Sequence, residues 1–209
     1  MSTPPRQERA DSRRKRLRLI EAAREAVAIH GLAVTAAEIA DRAEVGVGTL
    51  YRRFGSKDAL VKDILLDAIA EMQTVADASL ADPDPWNGLA SFLIALSRAQ
   101  SANRGLAEFT ASEASVFSDD VREHSVSLRC AIQDITARAH LAGMLRDDVT
   151  WRDIVVLSLA SVSAGECLGV RAANDQWQRT VALLLEGLRA PGAQPLPGQS
   201  PTDVFSGLA

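Results

Sequence analysis

Apolar side chains recur at every third or fourth position along most of the chain. Between residues 13 and 30 they are Leu17, Ile20, Ala23 and Val27, and arginines occupy the opposite side of the repeat. This spacing places the apolar residues on one face of a helix, where they can pack against a core. The pattern therefore predicts an amphipathic helix over residues 13–30, and Gly31 ends it.

Two short helices and one long helix are predicted next. Thr35 begins the first of them with Glu38 three positions later, the spacing of a capping box in which each side chain binds the other residue's backbone N–H. Its buried side is formed by Ile39, Ala40 and Ala43. A short helix over residues 48–54 follows, and residues 57–80 then keep helical spacing without glycine or proline.

Five further helices are predicted, separated by glycine, asparagine, aspartate or proline. They cover residues 86–102, 106–117, 119–142, 150–168 and 174–190, and Thr150 with Asp153 forms an acidic version of the capping box. Residues 191–209 are rich in proline and glycine, so we expect a disordered tail there. We find no strand pattern. The sequence therefore predicts an all-α protein of about nine helices.

The composition agrees with a helical protein that stays in the cytoplasm. Apolar residues make up 47% of the chain and aromatic residues only 4%, which disfavours sheets. The longest apolar runs are far shorter than the roughly 20 residues of a membrane span, and no apolar signal core follows the charged N-terminus. Cys130 and Cys167 lack partners at metal-ligand spacing, so they are interpreted as reduced, helix-borne small hydrophobes.

Charge is unevenly distributed along the chain. Residues 1–57 hold 12 Lys and Arg against 7 Asp and Glu, a balance of +5, whereas residues 58–209 hold 11 against 20, a balance of -9. A basic segment joined to an acidic one indicates that only the first contacts a polyanion.

The segment GVGTLYRRFGSK, residues 46–57, carries groups that suit contact with DNA. Two short helices joined by a tight turn are typical of a helix-turn-helix, whose second helix lies in the major groove. Gly48 would let the N-terminus of that helix approach the duplex closely, while hydroxyl and guanidinium groups bind phosphates or base edges. Leu50 and Phe54, four residues apart, would face the core. The residues expected to contact DNA are Thr35, Val47, Gly48, Thr49, Tyr51, Arg52, Arg53 and Lys57.

Residues 35–57, TAAEIADRAEVGVGTLYRRFGSK, resemble the DNA-binding signature of the tetracycline-repressor (TetR) family of bacterial regulators. The resemblance rests on IA, then GTLY, then F-x-x-K at fixed spacing, preceded by LIEAAREAVAIHG. It implies a helix-turn-helix domain over residues 13–57, with its motif at 35–54, and a helix 57–80 that bridges to a second domain. That domain, residues 81–190, would bind an effector and form the dimer.

Three positions depart from the family pattern. Glu44 stands where glycine is usual in the turn, and Gly46 stands at the helix cap where serine is usual. A left-handed Glu44 would cost roughly 1–2 kcal/mol, unless Gly46 takes over the special geometry of the turn. Arg53 replaces a histidine that is frequent there, which should keep a phosphate contact and remove its pH dependence.

Other interpretations of the same residues remain open. Gly46 and Gly48 could begin a dinucleotide loop, but Tyr51 occupies the place of the third glycine and no strand precedes it. The paired arginines could form an ordinary solvated helix face. The basic run RRKRLR, residues 13–18, could be a solvated helix start. Its place beside the expected helix-turn-helix favours an arm that touches the DNA backbone.

The resemblance also implies a dimer formed through the last two helices and an effector pocket between the others. Small residues in 150–168 and apolar residues in 174–190 suit such an interface, for which the candidates are Ser161, Ala164, Trp177, Val181, Leu184 and Leu188. The effector pocket candidates are Phe92, Phe109, Glu113, Phe117, Gln133 and Cys167. Apolar residues at this spacing are more often core filler than ligand contacts.

The function expected from the sequence is that of a homodimeric regulator that binds a palindromic DNA operator and leaves it when a small organic effector binds. The alternatives are a helical ligand-binding or enzymatic protein that does not bind DNA, and an activator of the same fold. No arrangement of residues supports catalysis, a metal or a cofactor.

Overall fold

The computed structural model describes residues 6–112, 118–162, 166–190 and 194–202, with side chains omitted at 6–10, 12, 166 and 167. Within these ranges the chain is mostly helical. The elements are α1 Arg6–His30, α2 Ala36–Arg42, α3 Val47–Phe54, α4 Lys57–Ala81, α5 Pro85–Ala102, α6 Arg104–Ala111, α7 Asp119–Leu141, α8 Trp151–Val162, β1 Glu166–Cys167, β2 Val170–Arg171 and α9 Gln176–Leu188. The predicted all-α class is confirmed.

The chain divides into two compact units. The first consists of Met1–Ala68 with Ala102–Val121, and the second of Ile69–Ser101 with Arg122–Ala209, so the division falls inside α4. Residues 102–121, which the sequence resemblance placed in the second domain, cluster here with the first.

The first unit is built around the apolar faces of α1 to α4. Its buried residues include Leu19, Ala23, Val27, Ile39, Leu50, Leu60 and Ile64, and Phe54 and Phe109 pack against them. Helix α6 lies very close to α1, because a Cβ added at Gly105 would stand 2.3 Å from Val27 Cγ1. Glycine is therefore required at that crossing.

The second unit buries one continuous apolar cluster drawn from five helices. It includes Met72, Ala76, Leu89, Phe92, Leu93, Leu96, Ile132, Ile135, Ile154, Val181 and Leu188. One half of the predicted capping box of α8 is present, since the Thr150 backbone N–H donates to Asp153 Oδ2 at 2.7 Å. None of the described helices combines the length and the hydropathy that a membrane span requires.

One predicted helix ends earlier than expected, and a pair of short strands follows it. Helix α8 ends at Val162 rather than near residue 168, and β1 and β2 form an antiparallel pair, although the sequence showed no strand pattern. Leu168 and Gly169 join these strands with φ of 51° and 78°. Two successive positive φ angles define a type I′ turn. Cys167 therefore lies in a strand and not in a helix, whereas Cys130 lies on α7, as predicted, and is exposed.

The predicted helix 106–117 corresponds to α6, Arg104–Ala111, and residues 113–117 lie outside the described part of the chain. Helix α1 begins at Arg6, seven positions before the predicted start at Arg13. The arginine-rich segment is thus already helical where the apolar repeat begins.

Part of the proline-rich tail makes defined contacts with the second unit. Leu196 N–H donates to Asp148 at 2.8 Å, and Ser200 Oγ donates to Asp153 at 2.7 Å. The Arg146 guanidinium also binds Asp148, and this pairing together with the Leu196 N–H holds the pKa of Asp148 well below its ordinary value. Residues 194–202 therefore dock beside the start of α8, a contact that the prediction of a disordered tail did not include.

Candidate functional site

Helix α3 separates its apolar face sharply from its polar face. Leu50 is fully buried and Phe54 packs against the core of the first unit, as the sequence predicted. On the other side Tyr51 is 49% exposed, and Arg52 is also exposed. A helix held by one face and presenting hydroxyl and guanidinium groups on the other has the form of a DNA-reading helix.

The N-terminus of α3 is open. Gly46 caps the helix without a side-chain hydrogen bond, so the first backbone N–H groups of α3 point away from the helix without an intrahelical partner. A Cβ at Gly48 would meet nothing within 4 Å. Packing within the protein therefore does not require glycine at position 48, whereas close approach to a phosphate would.

Thr35 and Lys57 lie at the N-terminal ends of the neighbouring helices α2 and α4. The predicted capping box of α2 is formed, with Thr35 N–H donating to Glu38 Oε2 at 2.7 Å and Glu38 N–H donating to Thr35 Oγ1 at 3.2 Å. The bonds that the Thr35 backbone N–H and hydroxyl donate to the Glu38 carboxylate lower its pKa. Lys57 begins α4 and pairs with Asp58 at 3.1 Å.

The remaining α3 candidates are partly covered. Val47 and Thr49 are half-buried, and so is Arg53. The Nε atom of Arg53 is buried and, within the described residues, has no hydrogen-bond partner. Arg53 is therefore held closer to the protein than Arg52, and only part of its guanidinium is free to reach a phosphate.

The basic run of residues 13–18 adjoins the reading helix. Its side chains are exposed, and the Arg16 guanidinium lies over the Phe54 ring at 5.4 Å from the centroid. Arg18 forms an ion pair with Glu44 in the turn between α2 and α3. The run thus contributes positive charge to the surface that carries α3.

The turn between α2 and α3 settles the alternatives at Glu44 and Gly46. Glu44 has a φ of 52°, in the left-handed region, while Gly46 is extended with a φ of -70°. Glu44 therefore takes the strained position, and Gly46 does not relieve it.

Replacing Glu44 with glycine should stabilise the first unit by about 0.5–1 kcal/mol, because glycine adopts positive φ without a steric penalty. The lost ion pair with Arg18 offsets little of this, since both side chains are exposed. Chemical denaturation measures the change, with Arg18→Ala as the control for the ion pair. Equal stability of Glu44→Gly and wild type would contradict the strain assigned to this turn.

Glu108 on α6 holds the loop that leads from α1 into α2. Its Oε2 accepts the Leu32 backbone N–H at 2.8 Å, and Arg104 pairs with its Oε1 at 2.7 Å. Gly31 has a φ of 76°, and a Cβ there would stand 2.3 Å from Glu108 Oε2. The Leu32 bond is the main cause of the lowered pKa of Glu108. Sequence reasoning missed this residue, because its partner lies 76 positions away.

Glu108→Ala should lower the free energy of unfolding by about 1–2 kcal/mol at pH 7, because it leaves the Leu32 N–H without its acceptor. A carboxylate whose pKa is depressed on folding stabilises the protein above its ordinary pKa of 4.5 and loses that contribution as the pH falls further. Urea unfolding at pH 7 and pH 4 should therefore show that the free energy of unfolding falls less on acidification in Glu108→Gln than in wild type. Arg104→Ala, which keeps the Leu32 bond, is the control, and an identical acid response of Glu108→Gln and wild type would refute the assignment.

The effector candidates do not form one group in the structure. Phe92 is buried in the core of the second unit, whereas Phe109 packs on the core of the first. Gln133 is exposed on α7, and Cys167 lies in β1. Glu113 and Phe117 lie outside the described residues.

The first unit contains a cavity of about 590 Å³. It is lined by Leu32, Lys57, Asp58, Ala59, Val61, Lys62, Leu65, Ser112, Ser118 and Val121. None of the described effector candidates is among them. In the part of the chain that the structure covers, no group of three or more His, Cys, Asp and Glu side chains is arranged to hold a metal ion.

Three of the dimer candidates are buried within the chain itself. Ser161, Val181 and Leu188 are at most 5% exposed, so they cannot supply a contact surface to a partner and the assignment of these three is corrected. Trp177 and Leu184 are half-buried, and Ala164 is outside the described residues. Ser161, Val181 and Leu188 thus pack inward, whereas the assignment of Trp177, Leu184 and Ala164 to the interface stays a prediction.

Comparison with known families defines the class of this chain. The profile of bacterial regulatory proteins of the tetR family matches residues 19–64, and that of the C-terminal domain of SbtR-like transcriptional regulators matches residues 84–190. These are helix-turn-helix DNA-binding transcription regulators rather than enzymes. The chain belongs to the TetR family, as its sequence resemblance implied.

Solved structures show the same fold over most of the chain. A TetR transcription regulatory protein from Mycobacterium vanbaalenii is 29% identical, with a TM-score of 0.56 over 87% of this chain and 99% of its own. The ketosteroid transcriptional regulator KstR2 of Mycobacterium tuberculosis is 24% identical, with a TM-score of 0.61 over 85% and 95%. A tetR-family protein from Rhodococcus RHA1 is 21% identical, with a TM-score of 0.62 over 83% and 96%. The last two comparisons bear on the fold alone.

Proposed function

We propose that this regulator is a cytoplasmic homodimeric repressor that binds a palindromic operator and leaves it when a small organic molecule binds the second unit. The observation that carries the proposal is the exposed face of α3, with its open N-terminus and its fixed buried face. Two such helices, related by a two-fold axis, read two half-sites in successive major grooves.

Contacts divide by the part of the duplex that each group can reach. Tyr51 and Lys57 bind phosphates, together with the N–H groups at the start of α3, and they set the position of the protein on DNA. Val47, Thr49 and Arg52 read base edges. Arg53 adds a partial phosphate contact, and Thr35 contributes mainly by capping α2.

The subunit surface lies on the outer faces of α8 and α9. On α9 the exposed residues follow helical spacing, and they are Gln178, Arg179, Ala182, Leu183, Glu186 and Gly187. Leu183 is 65% exposed, and Val156 on α8 is 49% exposed. Exposed apolar and small residues on two helices that pack together suit a four-helix interface between two copies.

Release of DNA requires that the effector prefer a conformation whose reading helices no longer match the grooves. Shifting the population from 99% competent to 1% needs roughly 5.5 kcal/mol of differential binding. Such a ligand acts by stabilising one of two existing conformations.

Salt dependence tests DNA binding directly. Fragments retained by the protein can be selected from genomic DNA and their affinity measured between about 50 and 200 mM salt. A dimer that makes six or more phosphate contacts should lose roughly a thousandfold in affinity over this range, because its cations displace condensed counterions. Binding that is absent, or insensitive to salt, would favour the alternative of a ligand-binding protein without a DNA partner.

A further inference from the structure

Six polar residues are buried among the described residues, all of them in the second unit, and four of these lie on α5 and α8. Ser97 and Gln100 belong to α5, and Ser158 and Ser161 belong to α8. Gln100 is 2% exposed and the three serines are 0% exposed. Neighbouring positions on the same helices, among them Leu93, Leu96 and Ile154, are buried in the apolar cluster, so no solvent is available to these polar groups.

The hydrogen bonds of this cluster fix the orientation of the Gln100 amide. Ser158 Oγ donates to the Val155 carbonyl oxygen at 2.7 Å, so the proton of that hydroxyl is already used. Ser158 Oγ must then accept from Gln100, and the amide nitrogen lies 3.2 Å away as the donor. A flipped amide would place two acceptors against each other. The side-chain carbonyl oxygen of Gln100, Oε1, therefore does not bond to Ser158.

Two atoms of the cluster are left without a partner. Gln100 Oε1 and Ser97 Oγ are buried and make no hydrogen bond with any described residue. They come from positions three apart on α5, which share one face of the helix. Buried polar atoms are nearly always paired, because an unpaired one keeps its desolvation cost without compensation.

We propose that Gln100 Oε1 and Ser97 Oγ are the anchor points for the effector, a neutral and mainly apolar molecule with a hydroxyl or amide N–H group. This inference rests on the proposed function and identifies the chemistry that the second unit recognises. Gln100 Oε1 can only accept, so its ligand must donate a hydrogen bond, and Ser97 Oγ can either accept from or donate to the same group.

The charge of the surroundings excludes ionised ligands. Within the described residues the polar side chains that are buried as a whole are all serine, threonine or glutamine, and the half-buried Arg152, whose Nε is buried, lies six positions before Ser158 on α8. An anion would face the Gln100 carbonyl oxygen, and a cation would lack a counter-charge, so each would lose its hydration without compensation. Leu93, Leu96 and Ile154 supply apolar surface for the rest of the molecule.

Matched probes test the requirement for a donor. We would measure the melting temperature of the full-length protein with 1-naphthol and 1-octanol, and with 1-methoxynaphthalene and heptyl methyl ether, which lose the donor and are larger than the alcohols by at most one methyl group. The alcohols should raise the melting temperature and the ethers should not. In Gln100→Met the alcohols should lose their advantage, while Gln133→Met, which changes an exposed glutamine on α7, should behave as wild type.

The unliganded variants provide a second readout. Gln100→Met removes an unpaired acceptor from an apolar core, so its melting temperature without probe should equal or exceed that of wild type. An unchanged preference for alcohols in Gln100→Met would overturn the proposal. So would ethers that stabilise as well as alcohols, as expected if a buried water satisfies Gln100, or the absence of any shift with all four probes.

DNA binding by the same preparations, measured without probe, separates this inference from the proposed function. Loss of retardation of every DNA fragment would refute the regulator and leave the donor preference as measured. Normal DNA binding with no donor preference would refute the anchor and leave the regulator in place.

Discussion

The variant Gly48→Glu is expected to keep its fold and to lose roughly a hundredfold or more in operator affinity, about 2.8 kcal/mol. Position 48 is the second residue of α3, where a Cβ meets open space. A carboxylate there interacts favourably with the helix dipole, and glutamate also has a higher helix propensity than glycine. The same carboxylate would stand where a DNA phosphate is proposed to bind, and would repel it.

If Gly48→Glu repels the phosphate, the protein should stay as stable as wild type while its operator affinity falls. If the variant were unfolded, both stability and affinity would fall. Thermal melting should show a Gly48→Glu protein at least as stable as wild type, while fluorescence anisotropy with the selected operator shows the loss. Gly48→Ala separates bulk from charge and should weaken binding less. Ala78→Glu adds the same carboxylate to an exposed position of α4 in the second unit, so it is the control for added charge and should bind the operator as wild type does. Undiminished affinity of Gly48→Glu would remove the N-terminus of α3 from the DNA interface.

The variant Leu183→Glu is expected to convert the proposed dimer into a folded monomer and to weaken operator binding by roughly a hundredfold or more. Leu183 is 65% exposed within the protomer, so a charge there does not disturb the core. In a two-fold interface, however, the two glutamates would be buried close to each other without counter-charges. A monomer carries a single reading helix and contacts half of the operator.

Sedimentation at several protein concentrations measures the first effect, and anisotropy measures the second. Leu141→Glu changes a residue that is 89% exposed at the end of α7, outside the proposed interface, and should remain dimeric with unchanged affinity. A dimeric Leu183→Glu protein would show that copies of the chain pair through another surface.

Local features of the reading head could be predicted from the sequence. The capping box of Thr35 and Glu38 and the inward side of Leu50 and Phe54 depend on residues within four positions of one another. The conformations of Glu44 and Gly46 could not be predicted from neighbouring residues. Either residue could have adopted the left-handed conformation, and only the complete turn determined that Glu44 does so.

Contacts between distant parts of the chain could not be predicted. The bond between Glu108 and Leu32 joins segments 76 residues apart. The spacing of apolar and polar residues does not indicate such a contact. For α9 the spacing identified a helix with apolar residues on more than one side. It could not show which side packs inward, and Val181 and Leu188 proved to be buried while Leu183 is exposed.

Methylation interference on a selected operator tests the central claim, that paired α3 helices read the major groove. Methyl groups on guanine N7 lie in that groove. We expect two patches of interference, related by two-fold symmetry and separated by about one helical turn or a multiple of it. A single patch of interference, or interference only from methyl groups in the minor groove, would contradict the account.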